Sequence, residues 1–536
     1  MTGESHPPCQ GCSVNTIGAM KAPLAVLVAG TLMSPLPAAA VGSAPSLTSI
    51  PAAVSAAAAS AAATPIAAAP AAAAGAARWG TAGRWITDEQ GRVVITHGVN
   101  EVEKNSPFAP DAVGFDEEDA KFLQQQGFTS VRLGTIWAGV EPKPGQFDDA
   151  YLARIKRTVD MLHRHGIASL LDFHQDMVNP KFQGNGWPDW AVLDGGAPNV
   201  IKAGFPGNYF LNMGVKNSYE SFMNDKPASD GVGIATHYAK AWAHTAAYFK
   251  GTPGVMGFDL YNEPFPGHDY LGCIMRVDGC PAQDAKLSAV QQKSIDAIRA
   301  VDPATTIYYE PMQFFNIAKP TNVAVKGKNL AFSFHDYCTN QAVFKNYYGC
   351  KSPDRKVFEN AEQQYRKHDH ALLMTEFGAI TAKDVLHAQT NLAMENRVGY
   401  QYWAYTGGDP TTAGPGNEQA LVFDTKKPPT GNNVDWKKLE AIAVPHPDRV
   451  AGVPGRYGYD RNTKTFTMKW VADKATSGVF GAGSITTVRI PAIAMPKGYT
   501  IKATGAKVVS KPDAPTVELA WEKGVTAAEV TIVAKR

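Results

Sequence analysis

The sequence predicts an α/β fold, a (β/α)8 TIM barrel followed by a C-terminal β-sandwich domain. Three observations support this prediction. Eight strand-like segments alternate with helix-like segments between residues 78 and 444. Polar side chains recur where these strands end. Between residues 445 and 536 the helical pattern gives way to short alternating strands. A doubly wound sheet is the alternative fold for the first of these domains.

The first 77 residues lie outside both predicted domains. Residues 1–44 contain "MKAPLAVLVAGTLMSPLPAAA", where a basic residue precedes an apolar run and small residues, the pattern of a secretory signal peptide. We expect translation to start at Met20. Residues 45–77 form an uncharged Ala/Pro tract, which predicts a linker. The protein is therefore expected to be secreted or extracytoplasmic. An uncleaved anchor at the cell surface is the alternative, although the apolar run is short for a membrane span.

The barrel prediction follows from the order of the segments. The strands are "VVITHGVNEV", "FTSVRLG", "IASLLDF", "GVMGFDLY", "TTIYYE", "NLAFSFHDY", "ALLMTEFGA" and "GYQYWAY". Helices are expected at 116–126, 148–165, 235–250, 285–300, 355–368, 384–397 and 435–443. Two insertions are longer than ordinary connections between a strand and a helix: residues 179–233 after the third strand and 264–284 after the fourth. We expect them to cover the mouth of an active site.

The last 92 residues have a different pattern. Six segments alternate apolar and polar residues between turns: "TKTFTMKWV", "SITTVRIPA", "YTIKATG", "AKVVS", "TVELAWE" and "AEVTIVAKR". Strands of this length and spacing are typical of a β-sandwich. We expect a packed structural module that also helps the protein approach a bilayer.

Charge and cysteine content narrow the functional class. The 51 Lys and Arg residues nearly balance the 49 Asp and Glu residues and are dispersed, which argues against a nucleic-acid surface or a polybasic membrane patch. Four of the six cysteines lie beyond the leader, and short separations favour the disulfides Cys273–Cys280 and Cys338–Cys350. Free buried thiols are the alternative. A zinc site is disfavoured because "CQGC" falls within the leader. We expect no metal and no cofactor.

Polar and aromatic residues at the strand ends are the candidate site residues, because active sites of such barrels lie at the carboxyl ends of the strands. These residues are Arg132, His174, Asn262, Glu263, His335, Tyr337, Glu376 and Trp403. Each one alone has a structural explanation, as an ion pair or as core packing. Chance does not readily explain why all eight of these residues fall at strand ends.

Two glutamates on different strands predict a retaining glycosidase. In such enzymes one carboxylate attacks the anomeric carbon, and the other protonates the leaving oxygen and then activates water, at a separation of ~5 to 5.5 Å. A nucleophile that Arg132 and Tyr337 hold ionised is expected to keep a neighbouring Glu263 protonated by repulsion and partial burial.

Three further side chains have expected roles around this pair. His335 is expected to orient Glu263. Asn262 is expected to bind the sugar 2-hydroxyl, a contact that strengthens in the transition state. Trp403 offers an apolar face to the sugar ring at the cleavage point.

The ordered set from Arg132 to Trp403 resembles glycoside hydrolase family 5, a group of retaining (β/α)8 enzymes. By this resemblance, Glu263 of "NEP" is the acid/base and Glu376 of "TEFG" is the nucleophile. "HGVNEVEKNSPFAP", "LLDFHQDM", "YNEPFPG", "YYEPMQFFN", "FSFHDYC" and "VPHPDRVAGVPGRYGYD" are most similar to the endoglycoceramidases of that family. That likeness implies hydrolysis between the glycan and ceramide of glycosphingolipids, by a monomer that contacts a glycolipid or oligosaccharide and a membrane surface.

The same resemblance suggests further substrate contacts, each of which has a structural alternative. Lys104 and Asp176 look like polar contacts to the sugar, and Trp187 like part of a lid; a solvated Lys, a supporting Asp and a loop-packing Trp are the alternatives. Met312, Phe314 and Phe315 are candidates for an alkyl-chain channel or for the core.

Other functions remain open at this point. A polysaccharide β-glucanase or β-mannanase, or a β-glycosidase of simple glycolipids, is the first alternative. A non-catalytic glycan- or lipid-binding protein is the second, and the presence of both Glu263 and Glu376 argues against it. A metal-dependent hydrolase is disfavoured because His174 and Asp176 lack a third nearby His or Cys.

Overall fold

The computed structural model describes residues 79–407, 409, 411–412 and 417–536. The predicted signal peptide, its start at Met20, the Ala/Pro linker, Cys9 and Cys12 lie outside these residues. Within the described ranges, no helix combines the length and the apolar character needed to cross a membrane.

The described strands fall into three groups. The N-terminal group is β1 (Trp79–Ala82), β2 (Trp85–Asp88) and β3 (Val93–Val94). The second group is β4 (His97–Glu101), β5 (Ser130–Gly134), β6 (Ala168–Asp172), β7 (Val255–Asp259), β8 (Ile307–Tyr309), β9 (Leu330–Asp336), β10 (Ala371–Phe377) and β11 (Gly399–Tyr402). The third group is β12 (His446–Val450), β13 (Val453–Asp460), β14 (Thr465–Val471), β15 (Ile485–Arg489), β16 (Tyr499–Thr504), β17 (Ala506–Val508), β18 (Thr516–Trp521) and β19 (Ala527–Ala534).

The α-helices lie mainly between the strands of the second group. They are α1 (Glu117–Gln125), α2 (Trp137–Val140), α3 (Asp149–Arg164), α4 (Gly204–Leu211), α5 (Met213–Met223), α6 (Ile234–Phe249), α7 (Tyr270–Met275), α8 (Pro281–Val301), α9 (Thr339–Phe344), α10 (Lys351–His368), α11 (Lys383–Asn396) and α12 (Trp436–Ile442). Side-chain caps set two of the starts: Asp116 forms a capping box at α1, and Asp148 accepts from the Tyr151 N–H at α3.

The strands β4 to β11 close into a barrel, which confirms the predicted fold class. Each strand pairs in parallel with its neighbour, and β11 returns to pair with β4. The strands are short apolar runs buried on both faces, because side chains fill the barrel interior and the helices cover its outside. All eight predicted strands are present. Their carboxyl ends therefore meet at one rim, where the candidate residues were expected.

The N-terminal strands belong with the C-terminal sheet, although the sequence places residues 78–444 in the barrel. Val94 of β3 pairs with Arg449 of β12 in antiparallel register, so β1 to β3 extend that sheet to seven strands. Trp79 and Ile86 pack with Val94 against the amino ends of the barrel strands. The physical reason is burial, because this hairpin covers apolar residues that would otherwise face water at the base of the barrel.

The C-terminal domain is a sandwich of the seven-stranded sheet β1-β2-β3-β12-β15-β18-β17 and the four-stranded sheet β13-β14-β19-β16. Residues from both sheets, including Trp470 and Trp521 at 5.6 Å between ring centroids, form its core. The sequence did not predict β12 and β13 as strands. Their segment, "HPDRVAGVPGRYGYD", contains prolines and glycines that are typical of a connection, and pairing with distant strands overrides that local preference.

Arg461 joins the two domains. Its guanidinium donates to Asn391 Oδ1 at 2.6 Å, Thr390 Oγ1 at 2.8 Å and the Ala441 carbonyl at 2.9 Å. These acceptors lie on α11 and α12 of the barrel. The sandwich is therefore held against the barrel by a polar contact as well as by packing.

Two stacked histidines at this junction predict a loss of stability in acid. His97 lies between Tyr400 and His446, at 3.9 and 3.7 Å between ring centroids. Burial lowers the pKa of His446 to about 4 and lowers that of His97 well below its usual value. Because the unfolded chain binds these protons near pH ~6.5, the stabilisation is complete above that pH. It is lost as the pH falls towards 4.

We expect the free energy of unfolding to fall by about 3 kcal/mol between pH 6.5 and 4 from His446 alone. Thermal unfolding across this range measures the loss. His97→Phe, which keeps an aromatic ring in the stack, should flatten the pH dependence, whereas His268→Phe at an exposed loop should leave it as it is. An unchanged slope in His97→Phe would contradict this account.

Candidate active site

Arg132 lies at the centre of the rim. It comes from β5, is fully buried, and contacts carboxylates from four different strands or strand ends. Its guanidinium lies 2.7 Å from Glu376 Oε1, 2.7 Å from Glu310 Oε1, 2.8 Å from Asp259 Oδ2 and 3.0 Å from Asp172 Oδ1. One buried cation is thus shared by four acidic groups, and it fixes their relative positions through charge-assisted hydrogen bonds to Asp259, Glu310 and Glu376 and an ion pair with Asp172.

Glu376 lies on β10 with both oxygens in contact with donors. The Tyr337 hydroxyl donates to Oε2 at 3.1 Å, Arg132 donates to Oε1, and His335 Nδ1 lies 3.4 Å from Oε2. The contacts with Arg132 and Tyr337 are those the sequence predicted, whereas His335 was expected to contact only Glu263. The predicted direction of the Glu376 pKa, however, is wrong: burial raises the pKa of Glu376 to about 7, against the lowering by His335 and Arg132. Arg132 is shared with three other carboxylates, so it cannot offset the whole cost of burial.

Glu263 lies just past β7, in the left-handed backbone region with φ at 44°. Its carboxyl accepts hydrogen bonds from Asn316 Nδ2 at 2.6 Å and Gln313 Nε2 at 3.2 Å, and His335 Nδ1 lies 2.9 Å from Oε1. One oxygen of Glu263, one of Glu376 and a ring nitrogen of His335 all lie within 4.8 Å of one another. The two glutamates therefore face the same small space, as predicted.

Sequence reasoning did not identify Glu310, Gln313 and Asn316, which contact Glu263, nor Asp172, Asp259 and Gln175, which contact Arg132 or Asn262. Glu310 directly follows β8, within the motif "YYEPMQFFN", so its place at a strand end is the signal in the sequence that identifies it. Gln313 and Asn316 lie on the short 3-10 helix Gln313–Ile317, which is not a strand end. Only the three-dimensional structure shows that this turn returns its amides to Glu263.

Asn262 is held in place by the protein. Its Oδ1 accepts from Arg132 at 3.0 Å, and its Nδ2 donates to the Gln175 carbonyl at 3.0 Å. Gln175 Nε2 in turn donates to the Asn262 carbonyl at 2.8 Å. The amide is thereby oriented next to Glu263. Its contact with a sugar 2-hydroxyl stays a prediction.

Lys104 and Asp176 belong to a second charged cluster beside the site. The Lys104 ammonium lies 2.6 Å from Asp176 Oδ2 and 2.7 Å from Asp409 Oδ2, and donates to Thr412 Oγ1 at 3.1 Å. Burial raises the pKa of Asp176, but Lys104 and His174 lower it by more, so this pKa lies well below its usual value. The sequence did not indicate Asp409 or Thr412, which lie on the long segment after β11.

Trp403 connects this cluster with the site. Its ring lies nearly parallel to that of His174 at 5.0 Å, the Lys104 ammonium lies 4.6 Å from its centroid, and its Nε1 donates to Gln419 Oε1 at 3.1 Å. Asp172 and Asp176, against the effect of burial, raise the pKa of His174 to about 9. The ring is therefore fixed on several sides. Its role as a sugar platform stays a prediction.

The structure does not bring Trp187 into the site. Its side chain is 1% exposed, and its ring packs 4.9 Å from Phe222 and 5.8 Å from Trp137 and Tyr219. The prediction that Trp187 is part of a lid over the site is therefore replaced by the loop-packing alternative, because an aromatic ring at the centre of a loop gains more from full burial than from the rim.

The candidates for an alkyl-chain channel also lie in the core. Met312, Phe314 and Phe315 are all buried within the main hydrophobic cluster of the barrel. Phe314 packs against Phe265 at 5.9 Å between ring centroids. The structure therefore favours the core alternative for these three residues.

Both predicted disulfides are present, and both lie on rim segments. Cys273–Cys280 spans the insertion after β7, and Cys338–Cys350 spans the segment after β9.

Two groups of the described residues have metal-like spacing: Glu263 with His335 and Glu376, and Cys338 with Cys350 and Asp354. The sulfurs of the second group are bonded to each other. A cation in the first group would lie against His335. Burial lowers the pKa of His335, but Glu310 and Glu376 outweigh burial and raise this pKa well above its usual value.

Replacing Lys104 by methionine is expected to lower the free energy of unfolding by about 3 to 5 kcal/mol, because two buried carboxylates lose their shared cation. Chemical denaturation measures the loss. The control is Lys345→Met, which removes one partner of the half-exposed pair with Glu418 and should cost about 1 kcal/mol or less. Similar losses in both variants would contradict the idea that the Lys104 cluster is a buried ion network.

Family models match both domains of the chain. Residues 88–409 match the model described as cellulase (glycosyl hydrolase family 5), and residues 445–533 match the glycoside hydrolase family 5 C-terminal domain. The two matches together cover all eight barrel strands and the strands from β12 onwards, but not β1, most of β2 or residues 410–444.

Named relatives match most of the chain. Endoglycoceramidase I of Rhodococcus hoagii is 30% identical over 450 residues, which are 81% of this chain and 84% of that protein. Endoglycoceramidase of Cyanea nozakii is 27% identical over 419 residues, 72% of this chain and 79% of that protein. A solved structure of endo-glycoceramidase II from Rhodococcus sp., a lactosyl-enzyme intermediate, is 25% identical, with a TM-score of 0.68, and covers 84% of this chain and 100% of that one.

Proposed function

Since the chain belongs to glycoside hydrolase family 5, we propose that it is a retaining endo-β-glycosidase that hydrolyses the bond between the glycan and ceramide of glycosphingolipids. The observation that carries the proposal is the facing pair Glu263 and Glu376 at the ends of β7 and β10, with oxygens within 4.8 Å of each other. The products are an intact reducing glycan and free ceramide.

The reaction follows from the contacts of this pair. Glu376, as the carboxylate, attacks the anomeric carbon and forms a glycosyl-enzyme ester, while Glu263 gives its proton to the departing ceramide oxygen. Glu263 then takes a proton from water, whose oxygen attacks the same carbon and releases Glu376. Arg132 at 2.7 Å and Tyr337 at 3.1 Å hold the Glu376 oxygens in position before and after the ester forms.

Two findings support retention of configuration. A retaining pair works at a separation of ~5 to 5.5 Å, whereas an inverting pair needs about 6.5 to 9.5 Å to admit a water molecule. The approach of the Glu263 and Glu376 oxygens suits the shorter distance. In addition, the similar enzyme from Rhodococcus sp. has been solved as a lactosyl-enzyme intermediate. A covalent glycosyl-enzyme is the intermediate of the retaining pathway.

The lipid part of the proposed substrate is supported by exposed apolar residues on the acid/base side of the rim. These residues are Leu211, Met213, Leu271, Met275 and Val277, which we call the apolar rim. Phe210 joins them to the site, because its ring lies 5.4 Å from Tyr270 and 5.8 Å from Phe265, two residues beyond Glu263. We propose that the apolar rim contacts the membrane surface in which the ceramide lies.

Replacing Met275 and Val277 together by aspartate is expected to weaken binding to phosphatidylcholine vesicles at least about fivefold, because both side chains are largely exposed, at 72% and 91%, and would enter the lipid interface. Vesicle sedimentation without any glycosphingolipid measures this. The comparison pair is Val479→Asp with Val509→Asp, exposed on the sandwich. The sandwich is itself expected to help the protein approach a bilayer, and we expect its contribution to be smaller than that of the apolar rim. Equal effects of the two pairs would contradict the proposed contact.

We further propose that the protein acts outside the cytoplasm and as a monomer. The two disulfides support the first statement, since such bonds persist in oxidising compartments.

Offering glycosphingolipids, cellulose and mannan side by side tests the substrate class. The expected result is ceramide with an intact glycan, identified by mass spectrometry, and no shortened polysaccharide. Shortened polysaccharide alone would support a β-glucanase or β-mannanase instead. Removal of single terminal sugars, with a shortened glycolipid left behind, would contradict the endo mode.

A further inference from the structure

Glu310 is a third glutamate at the centre of the site, and the mechanism above gives it no role. It directly follows β8, is 2% exposed, and contacts charged groups on both sides of the catalytic pair. Its Oε1 lies 2.7 Å from Arg132 Nη2 and 3.2 Å from His335 Nε2. Its Oε2 accepts the backbone N–H of Glu263 at 2.9 Å. A single carboxylate thus touches the backbone of one catalytic glutamate and the imidazole that contacts its side chain.

These contacts define what Glu310 does chemically. The groups in contact with its side-chain oxygens in the described structure are a guanidinium and a backbone N–H, which donate hydrogen bonds, and His335 Nε2, which lies at ion-pair distance. The pKa of Glu310 is raised, because burial and the neighbouring Asp259 outweigh the lowering by His335 and Arg132. Because the side chain accepts both hydrogen bonds and faces the Arg132 cation, its contacts fit the anionic form, which accepts only.

The anion acts on Glu263 by two routes. Through the backbone, it holds Glu263 at a φ of 44°, a region that non-glycine residues adopt only when their surroundings fix them. Through His335, it stabilises an imidazolium whose Nδ1 lies 2.9 Å from Glu263 Oε1. The same ring nitrogen lies 3.4 Å from Glu376 Oε2, so the charge of His335 bears on both carboxyls.

We propose that Glu310 is a positioning residue that sets the orientation and proton state of the acid/base Glu263 through the Glu263 backbone and the His335 ring. This inference rests on the proposed glycosidase function but not on the ceramide substrate. If Glu310 has this role, its loss slows the steps that need a proton from Glu263. Steps that need no such proton are slowed little.

Substrates with one glycan and two leaving groups test this. In Glu310→Gln, we expect kcat/KM for octyl β-lactoside, whose leaving oxygen needs a proton, to fall about 100-fold. For 2,4-dinitrophenyl β-lactoside, which needs none, we expect a loss under about tenfold. Glu310→Asp keeps the charge and should recover part of the octyl lactoside activity. Equal losses on both substrates in Glu310→Gln would overturn the proposal, since a merely structural role damages both alike.

Glu141→Gln provides a matched control. Glu141 is also fully buried and also accepts from a backbone N–H and contacts a histidine, at 2.8 Å from Gly145 N and 2.7 Å from His237 Nδ1. It does not touch Glu263 or Glu376 in the described structure. Its replacement should change stability without separating the two lactosides.

A measurement without substrate keeps the proposal testable if lactosides prove to be poor substrates. The other titratable groups that face His335 or Glu310 are Arg132, Asp259, Glu263 and Glu376. NMR titration of ring-labelled histidines should show that the pKa of His335 falls in Glu310→Gln and returns towards the wild-type value in Glu310→Asp. An unchanged His335 titration in Glu310→Gln would overturn the proposal.

Discussion

Glu376→Gln is expected to lower turnover by about 10⁴- to 10⁶-fold, the scale seen when a covalent mechanism loses its nucleophile. The amide keeps the size of the side chain and its contacts near Arg132 and Tyr337, but it cannot form a stable glycosyl ester. Turnover of a 2,4-dinitrophenyl glycoside measures the loss with the leaving group already activated.

Glu376→Ala extends this prediction, because it leaves space beside the anomeric carbon. Added azide should enter this space and restore release of dinitrophenol, and the sugar product should be the α-glycosyl azide, formed by a single inversion. The control is Glu141→Gln, a buried carboxyl outside the site, which should keep most activity. Substantial turnover of Glu376→Gln, or a β-glycosyl azide from Glu376→Ala, would contradict the assignment.

Glu263→Ala is expected to give the second largest effect, and one that depends on the leaving group. The loss should be about 10²- to 10⁴-fold for glycosphingolipid, because the ceramide oxygen departs without a proton. Glycosyl-enzyme formation from a dinitrophenyl glycoside should fall far less. Hydrolysis of the ester also needs Glu263 as a base, so the glycosyl-enzyme should accumulate, with a burst of dinitrophenol followed by slow release.

Azide separates the two glutamates. In Glu263→Ala it should attack the accumulated glycosyl-enzyme and give the β-glycosyl azide, the opposite anomer from that expected of Glu376→Ala. Anomeric assignment by proton NMR reads out both. The absence of a burst, or the same azide anomer from both variants, would show that the roles are assigned wrongly.

The sequence predicted those parts of the molecule in which local pattern and final position agree. The eight barrel strands are short apolar runs, and Glu263 and Glu376 come at the ends of two of them, where the fold places active sites. The disulfide pairs were predictable because each joins cysteines that are close in the chain, separated by 7 and 12 residues.

Contacts between distant segments were not predictable. Lys104 lies 305 residues before Asp409, so no spacing shows that they share a charged cluster. The hairpin from Trp79 joins a sheet whose next strand, β12, begins at His446. The raised pKa of Glu376 has the same origin, because the number of carboxylates that share Arg132 becomes visible only when four strand ends meet.

Covalent labelling tests the central claim most directly, because it identifies the nucleophile within the wild-type chain. The enzyme is incubated with 2,4-dinitrophenyl 2-deoxy-2-fluoro-β-lactoside, whose fluorine slows hydrolysis of the ester, and the peptides are sequenced by mass spectrometry. We predict one added fluorolactosyl group per chain, on Glu376. A label on Glu263 or Glu310, or steady turnover without any covalent species, would contradict the two-glutamate retaining mechanism.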